Sequence, residues 1–570
     1  MSLQFITGNS GNGKTKYLFN RIVKEAKANP RDNYLVIVPE QFTMQTQRQL
    51  VDLSENKAIM NIDVLSFKRL AYRVFDELGI TNLTVLEETG KNLVLRKLAA
   101  QEADKLGVIG RNLNRIGYIS EVKSLLSELV QYNISPEELG RYIASGRLSD
   151  TLSDKLKDVL VLYEAFEKFM QDKYITAEEI LNVLSNVAEE SAILRNSVIA
   201  FDEFTGFTPI QNQLIKKLFV ISKKIYVTLT IDCREDIFKS RGMQELFDMP
   251  KRTVKSLTEM AAFYGIEVEE PIILDKNYRL AENEELSFME QQLFRKRRCS
   301  FKKVPKHIHI DCLRDPKQEL TKIARRINEL VRNENLRYRD IAIVTGDVNI
   351  YAGYVREIFD KYNIPYFIDA TQEILFHPFI EFIRSIPDIA AQNFSADAVF
   401  RFLRCGFSEL LDSEIDVLEN YVLACGVRGK SAWDKKWVRL PKHKAGYDLE
   451  LLNQSREYIM ELLKPVYQVF SDKKSTVKDY VLAIYKLIVL LDIPDKLAKK
   501  EQALLDAGDQ TASKEYGQIY KIVMQLFEKY VAVLGDECMD AEEFTQILDA
   551  GLDAADVAVI PPGYDPVTIG

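Results

Sequence analysis

Glycine (25) and proline (17) are scarce in a chain of 570 residues. Both fall below average usage, which excludes a linker-rich or repeat-fibrous protein and predicts a helix-heavy chain with short connections. The six cysteines (Cys233, Cys299, Cys312, Cys405, Cys425, Cys538) contain no CxxC pair, and the four histidines are far apart. That spacing argues against a zinc site or a disulfide framework and for a reducing, cytoplasmic setting. No apolar run approaches the roughly 20 residues of a membrane span. The opening MSLQFITGNS runs straight into a glycine motif, leaving no room for a signal peptide. A net charge of −8 excludes a wholly basic nucleic-acid trap while allowing a local basic channel. These absences predict a soluble intracellular protein.

Apolar residues make up 46% and charged residues 28%, enough to bury sizeable cores in several domains. Two textures alternate. Residues 1–84 read as β-α-β, with strands at Leu3–Thr7 and Tyr34–Val38 and a helix led by SFKRLAYRVF at 66–75. From 85 to 190 the pattern is helical, and Leu156, Val159, Tyr163, Phe166 and Met170 mark one buried stripe. Strand texture returns at 197–204, 225–232, 271–279 and 340–346. Helical texture resumes at 396–545, before a final strand-like PVTIG. The fold class is therefore α/β, a layer interrupted twice by helical insertions. No short repeat or low-complexity tract is present.

The sharpest local signal is Gly8-Asn9-Ser10-Gly11-Asn12-Gly13-Lys14-Thr15, a GxxxxGK(S/T) loop between a strand and a helix. Glycines let backbone N–H groups curl around phosphates, and the helix N-terminus adds partial positive charge. Lys14 would reach the β- and γ-phosphates of ATP, and the Thr15 hydroxyl would ligate Mg²⁺. Phosphoryl chemistry also needs an acid at the end of a neighbouring strand. Asp202 follows Val198–Phe201 and would hold the magnesium; Glu203 is the candidate catalytic group, orienting or deprotonating water. A solvated Asp-Glu pair at a strand end is the bland alternative.

GNSGNGKT, VLSFKRLAYRVF (64–75), IAFDEFTGFTPIQ (199–211), NYR (277–279) and DIAIVTGD…IPYFID (340–369) together resemble a UvrD-like helicase core. Their variants, with HPFIEFIRS (377–385) and GLDAADVAVIPPGYDPVTIG (551–570), resemble the AddB (RexB) family across essentially the whole chain. The resemblance implies two RecA-like P-loop lobes, each with a large helical insertion. On it, the first lobe is 1–84 with 190–265 and its insertion 85–189. The second lobe is 266–395 with 546–570, incomplete, and its insertion 396–545. It also implies one member of a heterodimer that unwinds and resects DNA at double-strand breaks. An AddA-type partner would supply motor and nuclease, while this chain would contribute a degenerate helicase fold linked to Chi recognition. The expected location is the cytoplasm, at the nucleoid. A RecB-type nuclease lobe with an iron–sulfur cluster is expected only in a C-terminal half that this sequence does not contain, so none of the six cysteines is taken as a cluster ligand.

The departures point to a degenerate motor. Only seven residues precede Gly8, too few for an adenine-reading glutamine motif, and IDCREDIF after the 225–230 strand lacks the usual γ-phosphate-sensing glutamine. The chain stops at VTIG, before motifs V and VI, and reads as an N-terminal fragment. Arg279, at the NYR position, either touches a nucleotide phosphate or is a surface arginine at a helix start. Two basic stretches, 295–306 and 428–444, each hold seven Lys/Arg. In them Arg295, Arg297, Arg298, Lys435 and Lys436 are candidates for phosphates, and Trp433 and Trp437 for unstacked bases. Tryptophans at i, i+4 also pack cores, and charge runs also make solvated faces. Phe67, Arg69 and Tyr72 match the family's single-strand-contacting helix. Histidines 307, 309, 377 and 443 have no nucleophile or metal context. An active motor, a stand-alone P-loop kinase or regulatory ATPase, and a partner-binding scaffold with a vestigial loop are the rival readings.

Overall fold

Apolar runs such as LQFIT and YLVIV, with hardly a polar break, belong to strands covered on both faces. The computed structural model describes residues 1–80, 85–108, 110, 118–146, 148–170, 174–295, 299–368, 372–374, 376–441, 447–553, 556–557 and 565–570. Within these the chain divides into two units, 1–86 with 124–148 and 167–311, and 87–123 with 149–166 and 312–570.

The first unit is built on a parallel sheet. Its strands are β1 (Ser2–Gly8), β2 (Tyr34–Ile37) and β3 (Ile62–Leu65), then, after a short parallel ribbon of β4 (Val85–Leu86) and β5 (Ile175–Thr176), β6 (Val198–Phe201), β7 (Lys224–Thr230), β8 (Glu267–Val268) and β9 (Ile272–Leu274). The order is β3-β2-β6-β7-β1, with β8 and β9 both pairing the far side of β1. Register places Gly8 opposite Thr230 and Ile37 opposite Phe201. Side chains alternate between faces, as the pleat requires. Ile6, Tyr34, Val36, Val198 and Ala200 pack with Leu18, Phe19 and Ile22 of α1 (Lys14–Ala28) and Leu50 of α2 (Thr43–Leu53). Phe5, Leu35, Ile37, Ile199 and Phe201 face the other way. They pack on α3 (Phe67–Leu78) and on helices Ile180–Val187, Pro209–Ile221 and Asp248–Phe263. The TPIQ that follows the β6 loop starts one of these helices by a capping box. Thr208 accepts from the Gln211 N–H, and the Gln211 amide oxygen accepts from the Thr208 N–H at 2.9 Å, with Pro209 at the first helical position.

The second unit is mainly helical. Its large core gathers Phe379, Phe382, Ile383 and Phe402 with helices Leu449–Ser471, Val477–Leu490 and Gln510–Leu534. A small parallel sheet places β14 (Val567–Ile569) between β10 (Ala342–Ile343) and β11 (Tyr366–Ile368), while β12 (Gln372–Glu373) and β13 (Asp556–Val557) form an antiparallel pair. Helices Pro316–Asn333 and Val348–Lys361 cover the small sheet through Leu320, Ala324, Ile358 and Phe359.

Three boundaries differ from the sequence expectation. Residues 266–274, expected at the start of a second lobe, extend the first sheet beside β1. Helix Pro378–Ala391 packs into the helical core because Phe379, Phe382 and Ile386 are all buried there. The 85–189 stretch is not one body. Leu93 is buried in the second unit's core, and Lys97 pairs with Glu537 at 2.6 Å, so 87–123 and 149–166 go with the second unit. Among the described residues no helix is long and apolar enough to cross a membrane.

Candidate nucleotide-binding site

The loop from Gly8 to Thr15 lies at the carboxyl end of β1, where ligands of open parallel sheets sit. Its sharp turn into α1 needs left-handed backbone. Gly13, the N-cap, has φ +80°, and Gly11 has φ +85°, where a Cβ would stand 2.7 Å from Asn277 Oδ1 and 2.9 Å from Arg279 Cβ. That crowding comes from the NYR segment, which is moored onto the loop. Asn277 Nδ2 donates to Ser10 O at 3.0 Å, and the Tyr278 N–H donates to Gly11 O at 2.9 Å. Asn12 donates to Leu274 O of β9 at 2.6 Å. Asn9 bridges outward, its Nδ2 to Glu290 Oε1 at 2.9 Å and its Oδ1 accepting from the Cys233 N–H at 3.0 Å.

Lys14 folds back along the loop, its Nζ donating to Gly8 O at 3.1 Å and Asn9 O at 3.0 Å. Burial pulls its pKa down, while Glu203 and Asp202 oppose that pull. Asp202, 1% exposed, directly follows β6. One of its oxygens accepts from the Thr228 hydroxyl, and the other, Oδ2, is buried without a hydrogen-bond partner. Burial raises its pKa. Glu203 is held at φ +64°, a conformation that costs a non-glycine residue roughly 1–3 kcal/mol. Its Oε1 accepts from Thr15 Oγ1 at 3.3 Å.

Lys14, Thr15, Asp202, Glu203 and Arg279 therefore line one cavity of about 740 Å³. It suits a nucleotide with a divalent cation. A glycine cradle receives the phosphates, and the orphaned Asp202 oxygen beside a hydroxyl supplies the donors a hard cation takes. Among the described residues no group of three His, Cys, Asp or Glu side chains gathers into a metal site. A cation here would thus complete its shell from phosphate and water, the usual habit of magnesium.

The same cavity is walled by residues the motif did not flag, Phe42, Gln45, Thr46 and Gln49 of the β2–α2 region and Thr228 and Thr230 of β7. Phe42, Gln45, Thr46 and Gln49 come after β2, and Thr228 and Thr230 lie in the last three residues of β7, so the strand-end rule was the signal available for them.

The candidate DNA contacts fare differently. Phe67 is a core aromatic, 8% exposed, packed within 5.8 Å of Phe201 and 5.5 Å of Phe204, so it offers no free face. Arg69 Nε pairs with Glu40 at 2.8 Å, and Tyr72 is exposed. Arg295 lies over the Phe247 ring and donates to the buried Asp232 at 2.9 Å. Burial would lift that carboxyl, but hydrogen bonds from Arg234 and Arg295 hold it well below the usual range. Arg297 and Arg298 lie outside the described residues. Trp433 and Trp437 are 0% and 7% exposed, with ring centroids 5.3 Å apart. They are core residues, which overturns the base-stacking reading of both. Lys435 and Lys436 between them are exposed. The six cysteines are free thiols, and burial pushes Cys405 up to about 12.

These features define an α/β protein with a phosphate-loop sequence at the carboxyl edge of a parallel sheet. Comparison with known proteins is more specific. The chain belongs to the AddB family, whose N-terminal family model (ADDB, N-terminal) matches residues 5–290. It is 38% identical over 580 residues to an ATP-dependent helicase/deoxyribonuclease subunit, the B chain of its complex by name, from Lachnoclostridium phytofermentans. It is 32% identical over 582 residues to the protein of that name from Clostridium acetobutylicum, and 31% over 583 residues to that from Clostridioides difficile. In each case the match covers 100% of this chain and 50% of the relative. The chain spans about half the length of the curated relatives it matches.

Proposed function

We propose that this chain is the nucleotide-holding, helicase-like N-terminal half of an AddB protein, acting on DNA ends beside an AddA-type motor and nuclease partner. The observation that carries the reading is the convergence of Lys14, Thr15, Asp202, Glu203 and Arg279 on one cavity at the end of β1. The order β3-β2-β6-β7-β1, with one strand between the loop strand and the Asp202 strand, supports a RecA-like first lobe. The parallel β10-β14-β11 sheet supports an incomplete second lobe. ATP would lie with its phosphates on the Gly8–Thr15 backbone and its magnesium on Thr15 and Asp202; the bound ion would screen charge on the phosphates. Lys14 would exchange its two loop carbonyls for phosphate oxygens, and Arg279 would close the cavity from the NYR side.

The reading favours binding over turnover. The segment after β7 carries Asp232 and Arg234 instead of a glutamine, and both are engaged in an ion cluster with Arg295. Nucleotide would then stabilise a DNA-bound or partner-bound state, including one that recognises Chi. On this reading a nuclease lobe with an iron–sulfur cluster would belong to the half of the relatives' length that this chain does not cover. One observation favours the rival of an active motor: Glu203 stands within hydrogen-bonding reach of Thr15, as a water-orienting carboxylate should.

The test is magnesium-dependent ATP binding and turnover, wild type against Lys14→Ala, with and without single-stranded DNA. Loss of charge-assisted hydrogen bonds to phosphate should weaken binding by about 10- to 100-fold, with negligible turnover in either protein. DNA-stimulated hydrolysis by the wild type would replace this reading with the motor. Equal binding by both proteins would sink the site itself.

A further inference from the structure

The basic segment around the two tryptophans is neither helix nor strand from 434 to 441, yet its backbone is held at successive points by side chains from other elements. Asn453, 5% exposed, clamps one residue from both sides. Its Oδ1 accepts from the Trp437 N–H and its Nδ2 donates to Trp437 O, each at 2.9 Å. Arg456, also buried, donates from Nη1 to Trp433 O at 2.9 Å, and the Tyr421 hydroxyl donates to Arg439 O at 2.7 Å. Both indoles plug the core below. The Trp437 Nε1–H reaches Ala432 O at 3.0 Å. With positions 433 and 437 turned inward, Lys435, Lys436 and Arg439 are left outside and exposed.

These three cations form no ion pair among the described residues. Three neighbouring acids are committed elsewhere, Asp434 to Lys430 at 2.6 Å, Asp448 to the N-terminus of helix Leu449–Ser471, and Glu457 to Arg456 at 2.8 Å. Lys436 and Arg439 are at most about 10 Å apart along the chain. Among the described residues neither side chain bonds to the rest of the fold, while the backbone of the segment is fixed by buried polar side chains. Such an arrangement lowers the ordering cost of binding a polyanion.

We propose that residues 435–439 form a pinned docking strip for the phosphodiester backbone of DNA, contacted through Lys435, Lys436 and Arg439 and positioned by Asn453 and Arg456. The strip reads charge and spacing, not base identity, because its aromatic rings are buried. The proposal rests on the reading of this chain as a DNA-acting protein.

The experiment is anisotropy titration of the full 570-residue chain with a fluorescent single strand and with a duplex of the same sequence, across salt concentrations. The triple substitution Lys435→Gln, Lys436→Gln, Arg439→Gln changes only exposed positions and should leave thermal unfolding unchanged. On the single strand it should weaken binding at about 0.1 M salt by at least about tenfold and make the slope of log affinity against log salt shallower by roughly 2. The duplex arm tells which form uses the strip, since a shift confined to one form assigns the contact to it. Asn453→Leu keeps every cation but releases the clamp, and should weaken binding several-fold with the slope unchanged. Wild-type binding that the triple variant reproduces in affinity and slope overturns the strip and leaves the DNA reading standing. Failure of the wild type to bind either DNA overturns that broader reading as well. Poly-glutamate bound as tightly as DNA by the wild type, and lost in the triple variant, would make this an acidic-protein site and overturn the proposal.

Discussion

Two irregular stretches of backbone in this molecule are held rigid by opposite means. The glycine loop at 8–15 is fixed mainly by its own strand, its own helix and the NYR segment, and its residues Ser10, Gly11, Gly13, Lys14 and Thr15 line a cavity. The segment at 434–441 has no such scaffold of its own. It is fixed from outside by Asn453, Arg456 and Tyr421, and it turns cations, not amides, toward solvent. The first device is written in consecutive residues and can be read as a motif. The second is spread over separate helices and cannot.

The sharpest way to break that comparison is Trp433→Ala. Removing a fully buried indole should lower the stability of the second unit by about 3–5 kcal/mol while leaving nucleotide binding at the Gly8–Thr15 loop intact. Denaturant unfolding beside ATP titration checks both halves of the statement. Gly11→Ala is the converse. A Cβ at φ +85°, pressed against Asn277 and Arg279, should cost the loop about 1–3 kcal/mol and weaken ATP binding. The second unit's unfolding should stay unchanged. Because Trp433 and Trp437 are the only tryptophans and both lie in the second unit, their fluorescence reports that unit selectively.

The smallest expected effect is a pH response of opposite sign in the two units. His377 caps helix Pro378–Ala391, its Nδ1 accepting from the Phe379 N–H at 3.1 Å, and burial lowers its pKa to about 4. Its folded-state pKa lies below the unfolded value, so the unfolded chain binds the extra proton between about pH 6.5 and 4. Stability present at neutral pH is therefore lost as pH falls through that window, by roughly 1–2 kcal/mol at about pH 5. Tryptophan-monitored unfolding at about pH 7.5 and about pH 5 should show the loss. His377→Asn, which keeps an acceptor at the cap, should abolish it. Asp202 in the first unit behaves the other way. Its folded pKa is raised by burial, so protonation relieves a cost that is present at neutral pH. Asp202→Asn should stabilise the first unit at neutral pH and weaken magnesium-dependent nucleotide binding.

Much of this is legible in the sequence. The strands at Leu3–Thr7, Tyr34–Val38 and 197–204 announce themselves because a strand covered on both faces tolerates almost no polar residue. The loop and the Asp202 strand end are legible because phosphate chemistry constrains adjacent positions. The tryptophans mislead for a physical reason: flanking lysines say that the chain surfaces, not what the residues between them do. Ile272–Leu274 could complete either sheet, and only its neighbour across space, the Gly8 end of β1, decides. The division of 85–189 turns on Leu93 and Lys97, whose partners lie hundreds of residues downstream, beyond the reach of any local periodicity.

The position of β14 has a consequence for how the second unit comes into being. The middle strand of its small sheet is Val567–Ile569, and its two flanking strands end at Ile343 and Ile368. On a ribosome adding about 5–20 residues per second, the roughly 200 residues between β11 and β14 take about 10–40 s to emerge. Through that interval β10 and β11 have no strand between them, and their edges are open to pairing with another nascent chain. The helical stretch between β11 and β14 can begin to collapse first, because many of its contacts are more local. The small sheet is thus a clasp closed long after its flanking strands have emerged, and a pause before β14 would lengthen the period in which neighbouring polypeptides on the same messenger can entangle.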